Sequence, residues 1–318
     1  MSRLLLVLSL AASIAVGVHS CRTIALSGGG AFGAYEAGVM SGLIDYIYDG
    51  QANWTRIAGI SAGSINSAYM TMWNVGDEKS GVESLKTMWL NTTQDMVYKN
   101  WPGSYVEGLL LQSGLYDTSP LRAYLTANLD VDKFMQSDRD WIVGATNMDT
   151  GDYTPFNKTN IANPVDAVMA SSAWPVFFPH VQIGEHFYSD GGAKVNVPIL
   201  DAFTPCTTEI DVIICSADSM DSVNASTYNT ISSFMRTLDI LERDVVEKDL
   251  QLALLQQQLK DVKIRIVRPS GPLPGGGLTF NKEYTQQMID IGIQDAKNSK
   301  PQTGAELAEK LIRGEIVF

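Results

Sequence analysis

Histidine is almost missing from this chain. Of 318 residues only His19, His180 and His186 are histidine. A serine hydrolase of the usual α/β order needs an acid and then a histidine after its serine. No histidine occurs beyond position 186, so such a relay would have to use an early acid. His186, flanked by Glu185 and Phe187 in an apparent strand, reads as a surface or half-buried residue. Basic residues are also few: 23 Lys and Arg stand against 35 Asp and Glu, a net charge of −12. That balance argues against nucleic acid as a partner and against strong attraction to anionic membranes.

Long apolar runs are equally scarce. The one clear run, Leu4 to Val18, is shorter than the ~20 residues a bilayer core needs. With Arg3 before it and Val18-His19-Ser20 resembling a cleavage site, residues 1–20 are expected to be a signal peptide. Lipidation at Cys21 is the minor alternative. The mature chain is then expected to be secreted or lumenal, without a transmembrane segment. Cysteine occurs three times, at Cys21, Cys206 and Cys215. One bridge suits an oxidising compartment, with Cys21 and Cys206 as the candidate pair and three free thiols as the alternative. Cys215 ends a strand-like stretch, Asp211 to Ile214, and is expected to be buried. No zinc-ligand spacing occurs, and Asp130-Val131-Asp132 is too short for an EF-hand loop. No metal or cofactor is expected. There is no internal repeat.

What is present is a serine on a sharp turn. Ile57-Ala58-Gly59-Ile60 reads as the end of a buried strand, and Ala62 to Met72 as a helix with Ile65, Ala68, Tyr69 and Met72 on one face. Ser61 falls between them, flanked by Gly59 and Gly63, which lack the Cβ that would block a tight turn. This is the pattern of a nucleophile elbow, with a helix N-terminus beneath the hydroxyl that favours an oxyanion. A plain Gly/Ser turn is the bland alternative.

A glycine run precedes it. Thr23 to Leu26 reads as a strand and Gly33 to Tyr48 as a helix, with Ser27-Gly28-Gly29-Gly30-Ala31-Phe32 between them. Gly28, Gly30 and Gly33 match a dinucleotide fingerprint, but that needs a second strand ending in an acid about twenty residues on. Asp45 and Asp49 lie in helix or at its end, so a nicotinamide oxidoreductase ranks last. The better reading is an oxyanion hole, in which the amides of Gly28, Gly29 and Gly30 face a developing negative charge. Such donors are worth about 3–4 kcal/mol each. Downstream, Ser189-Asp190-Gly191-Gly192 follows the strand-like Glu185 to Tyr188. An aspartate of ordinary pKa, about 3.9, is ionised at neutral pH and can accept a serine proton. Alone, Asp-Gly-Gly is a common turn.

These three motifs, in this order, resemble the patatin-like phospholipase family. Further likeness lies in Gly114-Leu115-Tyr116-Asp117-Thr118-Ser119-Pro120-Leu121 and in Ala145-Thr146-Asn147 to Thr150-Gly151. Ala170-Ser171-Ser172-Ala173-Trp174-Pro175-Val176-Phe177-Phe178-Pro179 and Asn196-Val197-Pro198 add to it. The resemblance covers about residues 22–218. It implies a three-layer α/β/α fold with a central, mostly parallel sheet. It implies a Ser–Asp dyad, with Ser61 as nucleophile and Asp190 as base and then acid, supported by Gly33, Gly59, Gly63, Gly191 and Gly192. It also implies a lipid acyl hydrolase of phospholipase A or lysophospholipase type, acting on phospholipids or related esters. Many members carry Arg or Lys inside the glycine motif where this chain has Phe32, so that extra positive charge is absent.

The mature chain is expected to be one domain over 21–318, with a motif-bearing core to about 218 and a helical and strand extension beyond. Trp101-Pro102-Gly103 through Leu109-Leu110-Leu111 is expected in the core, with a lid or a lipid-facing lip around the site as the alternative. Residues 230–260 are expected to form a packed helix using Phe234, Leu238, Leu241, Val245, Leu252, Leu255 and Leu259, with a partner helix or membrane-surface element as the alternative. Val262 to Val267 reads as a strand, Pro272 to Gly277 as a flexible loop, and about Lys282 to Asn298 as the closing helix. Four N-x-S/T sequons, Asn53, Asn91, Asn157 and Asn224, are glycosylation candidates if the chain enters a eukaryotic secretory pathway. Two other functions remain open: an esterase with His180 or His186 as base, and a lipid-binding or storage glycoprotein indifferent to Ser61.

Overall fold

The computed structural model describes residues 20–217, 220 and 222–316. The expected leader, apart from Ser20, lies outside the described residues. The strands are β1 (Cys21–Leu26), β2 (Trp54–Gly59), β3 (Lys99–Asn100), β4 (Tyr116–Asp117), β5 (Asp140–Asn147) and β6 (Tyr153–Asn157). Then come β7 (Val181–Ile183), β8 (His186–Asp190), β9 (Thr207–Ile213), β10 (Lys263–Val267) and β11 (Gln302–Thr303). The main sheet runs β11-β10-β9-β1-β2-β5-β8-β7, with β6 added on β5. Its central strands, β10 through β5, are parallel.

Parallel strands need cover on both faces, and alternate side chains supply it. Ile24 and Leu26 of β1 join a core with α1 (Gly33–Tyr46) and α3 (Glu78–Asn91), while Ala25 points to a second core. That second core is closed by the long helix Thr230–Leu254 through Val246, Leu250, Ala253 and Leu254. The result is three layers, helix on sheet on helix. A third cluster, around Trp141, Val168 and Phe178, packs beside the sheet under the helix Pro164–Ser171. One buried carboxylate spans the strands: Asp211 of β9 accepts from Tyr48 Oη, Trp54 Nε1 and Arg265 Nε. With its donors in place, the charge is tolerated inside the sheet.

The topology brings the second catalytic candidate to the first. β6 takes one edge of β5 over Ile142 to Thr146. β2 takes the other edge as far as Val143, opposite Gly59. β8 then runs antiparallel along that vacated edge, with Asp190 opposite Ala145. Asp190 therefore sits two residues, about 7 Å, beyond the level of Gly59. That is where the chain leaves β2 toward Ser61.

Several expected elements differ. The helix Ser104–Leu111 is not core: Tyr105, Val106, Leu109, Leu110 and Leu111 are all exposed, and only Gly108 is buried, against Leu115. The long helix is packed, but by only part of the heptad-like set: Leu238 packs partly buried beside the Trp141 cluster, and Leu259, just past the helix end, is fully buried. Phe234, Leu241, Leu252 and Leu255 are exposed, because the second half of the helix packs through the stripe of Val246, Leu250, Ala253 and Leu254 instead. The helix Lys282–Asn298 does not close the chain; Gly304–Ile312 follows it, started by a capping box between Thr303 and Glu306. The Pro272–Gly277 loop is tied down, its Gly277 carbonyl accepting the Ala31 amide at 2.8 Å. A Cys21–Cys206 disulfide is formed and Cys215 is a buried free thiol. Among the described residues no helix is long and apolar enough to cross a membrane.

Candidate active site

Ser61 is the N-cap of α2 (Ala62–Thr71) and has φ 52° and ψ −120°. A non-glycine residue in that region stores about 1–3 kcal/mol of strain, and such strain gathers at functional sites. The neighbours enforce it. A Cβ on Gly59 would lie 2.2 Å from the Gly63 carbonyl oxygen, and one on Gly63 would lie 2.4 Å from that of Leu26. Only glycine permits so close a crossing of elbow and glycine loop. Backbone bonds hold the two together, from Ile60 N to Leu26 O and from Gly63 N to Ser27 O. The Ser61 amide donates to Ser171 Oγ at 3.0 Å.

Asp190 ends β8 and is almost wholly buried. Its Oδ1 accepts the Gly192 amide at 2.8 Å within the turn formed by Gly191 and Gly192. The Ser61 side chain interacts with this carboxyl and lowers its pKa, yet Oδ2 has no hydrogen bond of normal geometry. The contact is therefore loose, as catalytic pairs without substrate often are. The ordinary pKa expected for Asp190 does not hold. Burial raises it to about 7, helped by the nearby Glu242 carboxyl and opposed by Ser61 and the Gly192 amide.

The glycine loop also differs in one donor. The Gly28 amide is already engaged, donating to the Asn196 carbonyl at 3.2 Å and to Asn196 Oδ1 at 3.1 Å. Among the described residues the amides of Gly29 and Gly30 have no hydrogen-bond partner. Neither does the amide of Ala62, the first of α2. Gly30 takes φ 56°, and Gly33 opens α1 against Trp89. Burial pushes the Cys215 thiol and the Glu36 carboxyl, both packed near this loop, toward their neutral forms.

Ser61, Asp190 and Gly28 to Gly30 line one cavity of about 730 Å³. Its walls are largely apolar, including Ile65, Leu121, Leu125, Phe178, Leu238 and Phe280. Neither His180 nor His186 lines it. His180 lies on a small separate pocket with Thr118 and Arg122, and His186 pairs with exposed Asp149 at 2.9 Å. His19 lies outside the described residues.

Several residues in or behind the cavity wall carried no assigned role in the sequence. Ser171 and Asn196 fall in family-like segments, which was the available signal. Trp174 lines the cavity and donates to Glu242 Oε1 at 2.6 Å. Asp249 of the same long helix accepts the Asn196 and Val197 amides at 2.6 and 2.9 Å, and so steadies the residue that holds Gly28. No local pattern marks Glu242 or Asp249, because their roles exist only once the long helix folds back across the site. The sequons are placed on the surface at Asn53, Asn91 and Asn224, and half-buried at Asn157.

A family model described as patatin-like phospholipase matches residues 24–203, more than half of the chain and both Ser61 and Asp190. The chain is similar to the crystal structure of VipD from Legionella pneumophila, with TM-score 0.44 and 12% identity over 90% of this chain and 68% of that one. It is also similar to the type III effector ExoU (TM-score 0.37, 11% identity, 92% of this chain and 53% of that one). For the ExoU–SpcU complex of Pseudomonas aeruginosa the TM-score is 0.32, with 17% identity over 92% and 55%. The chain thus spans little more than half of the ExoU chains. No curated protein matches it in sequence.

Proposed function

Since the chain belongs to the patatin-like phospholipase family, and so among lipid ester hydrolases, we propose that it cleaves phospholipid acyl esters with a Ser61–Asp190 dyad. The observation that carries this is the strained Ser61 turn, whose hydroxyl interacts with the buried Asp190 carboxyl in the same apolar cavity. The cavity suits a fatty acyl chain, whose transfer from water is favourable at roughly 0.8 kcal/mol per CH₂.

Ser61 Oγ attacks the ester carbonyl carbon and its proton passes to Asp190. The carbonyl electron pair moves onto oxygen, to which the unpartnered Gly29 and Gly30 amides donate hydrogen bonds. Gly28 joins them only if Asn196 releases it. Collapse breaks the bond to the alcohol, which leaves with the proton from Asp190. Water then attacks the acyl-serine with Asp190 as base again, releasing the fatty acid and restoring the Ser61 hydroxyl. The products are a lysolipid, or a deacylated headgroup when the substrate is already a lysolipid.

The test is fatty-acid release from phospholipid micelles. Ser61→Ala and Asp190→Asn are each expected to lower kcat by about 10³-fold or more, while His180→Ala/His186→Ala keeps it. Full activity in Asp190→Asn with loss in the histidine variant would leave an esterase with a histidine base. Lipid binding without turnover by the unaltered chain would leave the binding-protein reading. The route we propose for the chain is secretory; the Cys21–Cys206 bridge and the exposed sequons support it.

A further inference from the structure

An eight-residue helix that exposes five apolar side chains needs a partner. In Ser104–Leu111, Tyr105, Val106, Leu109, Leu110 and Leu111 are between 53% and 78% exposed. At 3.6 residues per turn these five cover an arc of about 240°. A helix docking on another protein or on its own core buries a much narrower stripe. Apolar groups around most of a helix end call for a medium that surrounds it, which is what the acyl region of a lipid layer provides.

Charge narrows the kind of layer. Between Trp101 and Leu115 there is no Lys or Arg and one acid, Glu107. Glu107 is internally satisfied, accepting from the Gly103 amide and the Gln112 side chain. With a net charge of −12 over the chain, an anionic leaflet would repel rather than attract it.

Position ties the helix to the cavity. Tyr105 meets Tyr116 edge-on with ring centroids 5.9 Å apart, and Tyr116 meets Tyr98 at 4.6 Å. Tyr98 packs against Phe178 and Phe280, both in the cavity wall. The exposed helix is thus two aromatic layers from the space that receives the acyl chain. We propose that Ser104–Leu111 is the element that inserts into a zwitterionic lipid surface and sets the cavity against it; this rests on the hydrolase reading above.

The experiment uses the full chain carrying Ser61→Ala, so that lipid is not consumed, with and without Leu109→Ser/Leu110→Ser/Leu111→Ser. Co-sedimentation is measured with phosphatidylcholine vesicles and with vesicles also containing phosphatidylserine. Turnover is measured in the Ser61 forms on phosphatidylcholine vesicles and on a short-chain ester below its micelle concentration. The triple change is expected to weaken binding to phosphatidylcholine by at least about tenfold and to slow vesicle hydrolysis as much, with soluble-ester turnover unchanged. Addition of phosphatidylserine is expected not to strengthen binding. Unchanged vesicle binding by the triple variant would overturn the proposal, as would tighter binding to the anionic vesicles. An equal loss on the soluble ester would also overturn it, because the helix would then act on the site itself. If the unaltered chain bound vesicles but cleaved neither substrate, the hydrolase reading would fall, and loss of binding in the triple variant would still establish the insertion.

Discussion

At the scale of single residues, Asp190 shows what burial does to a catalytic group. In water its carboxyl would titrate near 4 and be a feeble base. Here it is enclosed, its Oδ2 lacks a normal hydrogen bond, and the Glu242 carboxyl adds a like-charge field, so its pKa rises to about 7. A base works in its deprotonated form, which is lost as pH falls through that value. The expected profile of kcat/KM is a limb that rises with pH, centred near 7 and level above it. Glu242→Gln removes a field that favours the protonated acid, so its limb is expected at lower pH than that of the unaltered chain. Profiles of kcat/KM against pH for both proteins check this. A limb near 4 would show that burial does not raise the Asp190 pKa, and a Glu242→Gln limb displaced upward would show that Glu242 does not act on the titrating group. The sequence singled out Ser61 and Asp190 through their Gly neighbours. It could not show the raised pKa, because Glu242 arrives from a helix that begins forty residues after Asp190's strand ends.

At the scale of elements, the glycine loop is shaped by what lies against it. Gly30 has φ 56°, and a Cβ there would stand 2.2 Å from the Gly277 carbonyl oxygen. That same oxygen accepts the Ala31 amide. Gly30→Ala therefore brings both backbone strain and a backbone clash, and it turns an oxyanion donor out of line. It is expected to lower kcat by about 10²-fold, the scale of one lost donor, with little change in the affinity of a non-reacting lipid. Steady-state kinetics beside binding of that lipid would separate the two; a loss of affinity alone would remove Gly30 from the oxyanion hole. Strands β1, β2, β9 and β10 and the helices α1 and α2 were legible within a few residues, because apolar runs stop at glycine or polar punctuation there. The helix Ser104–Leu111 was not, since an apolar run reads the same whether it will face a core or a lipid layer. The role of Pro272–Gly277 was hidden as well: a Pro/Gly-rich segment signals a loop, but not the single carbonyl that anchors it.

At the scale of the whole molecule, one covalent tie joins distant parts of the chain. Cys21 opens β1 and Cys206 stands just before β9, its parallel neighbour, 185 positions later. Their adjacency follows from strand order, which no spacing in the sequence reveals. The bridge secures the strand that leads directly into the glycine loop, and the Cys21 amide also donates to the Cys206 carbonyl. A cross-link restricts the unfolded chain, so Cys206→Ser is expected to cost about 2–4 kcal/mol of stability. The third thiol gives an internal control. Cys215 is buried beside Gly29, with its thiol pKa raised by burial, and it should be inert toward a maleimide in the folded protein. Intact-mass measurement on chain from a secretory host is expected to show no label in the native state, one label after denaturation and three after denaturation with reduction. Under the secretory reading, the same sample loses mass on treatment with a peptide N-glycosidase, from sequons such as Asn91 and Asn224 that lie exposed. Three labels without reduction would mean that the bridge does not form, and the case for an oxidising compartment would lose its structural support. One label without reduction and no removable glycan would keep the bridge and withdraw the sequons.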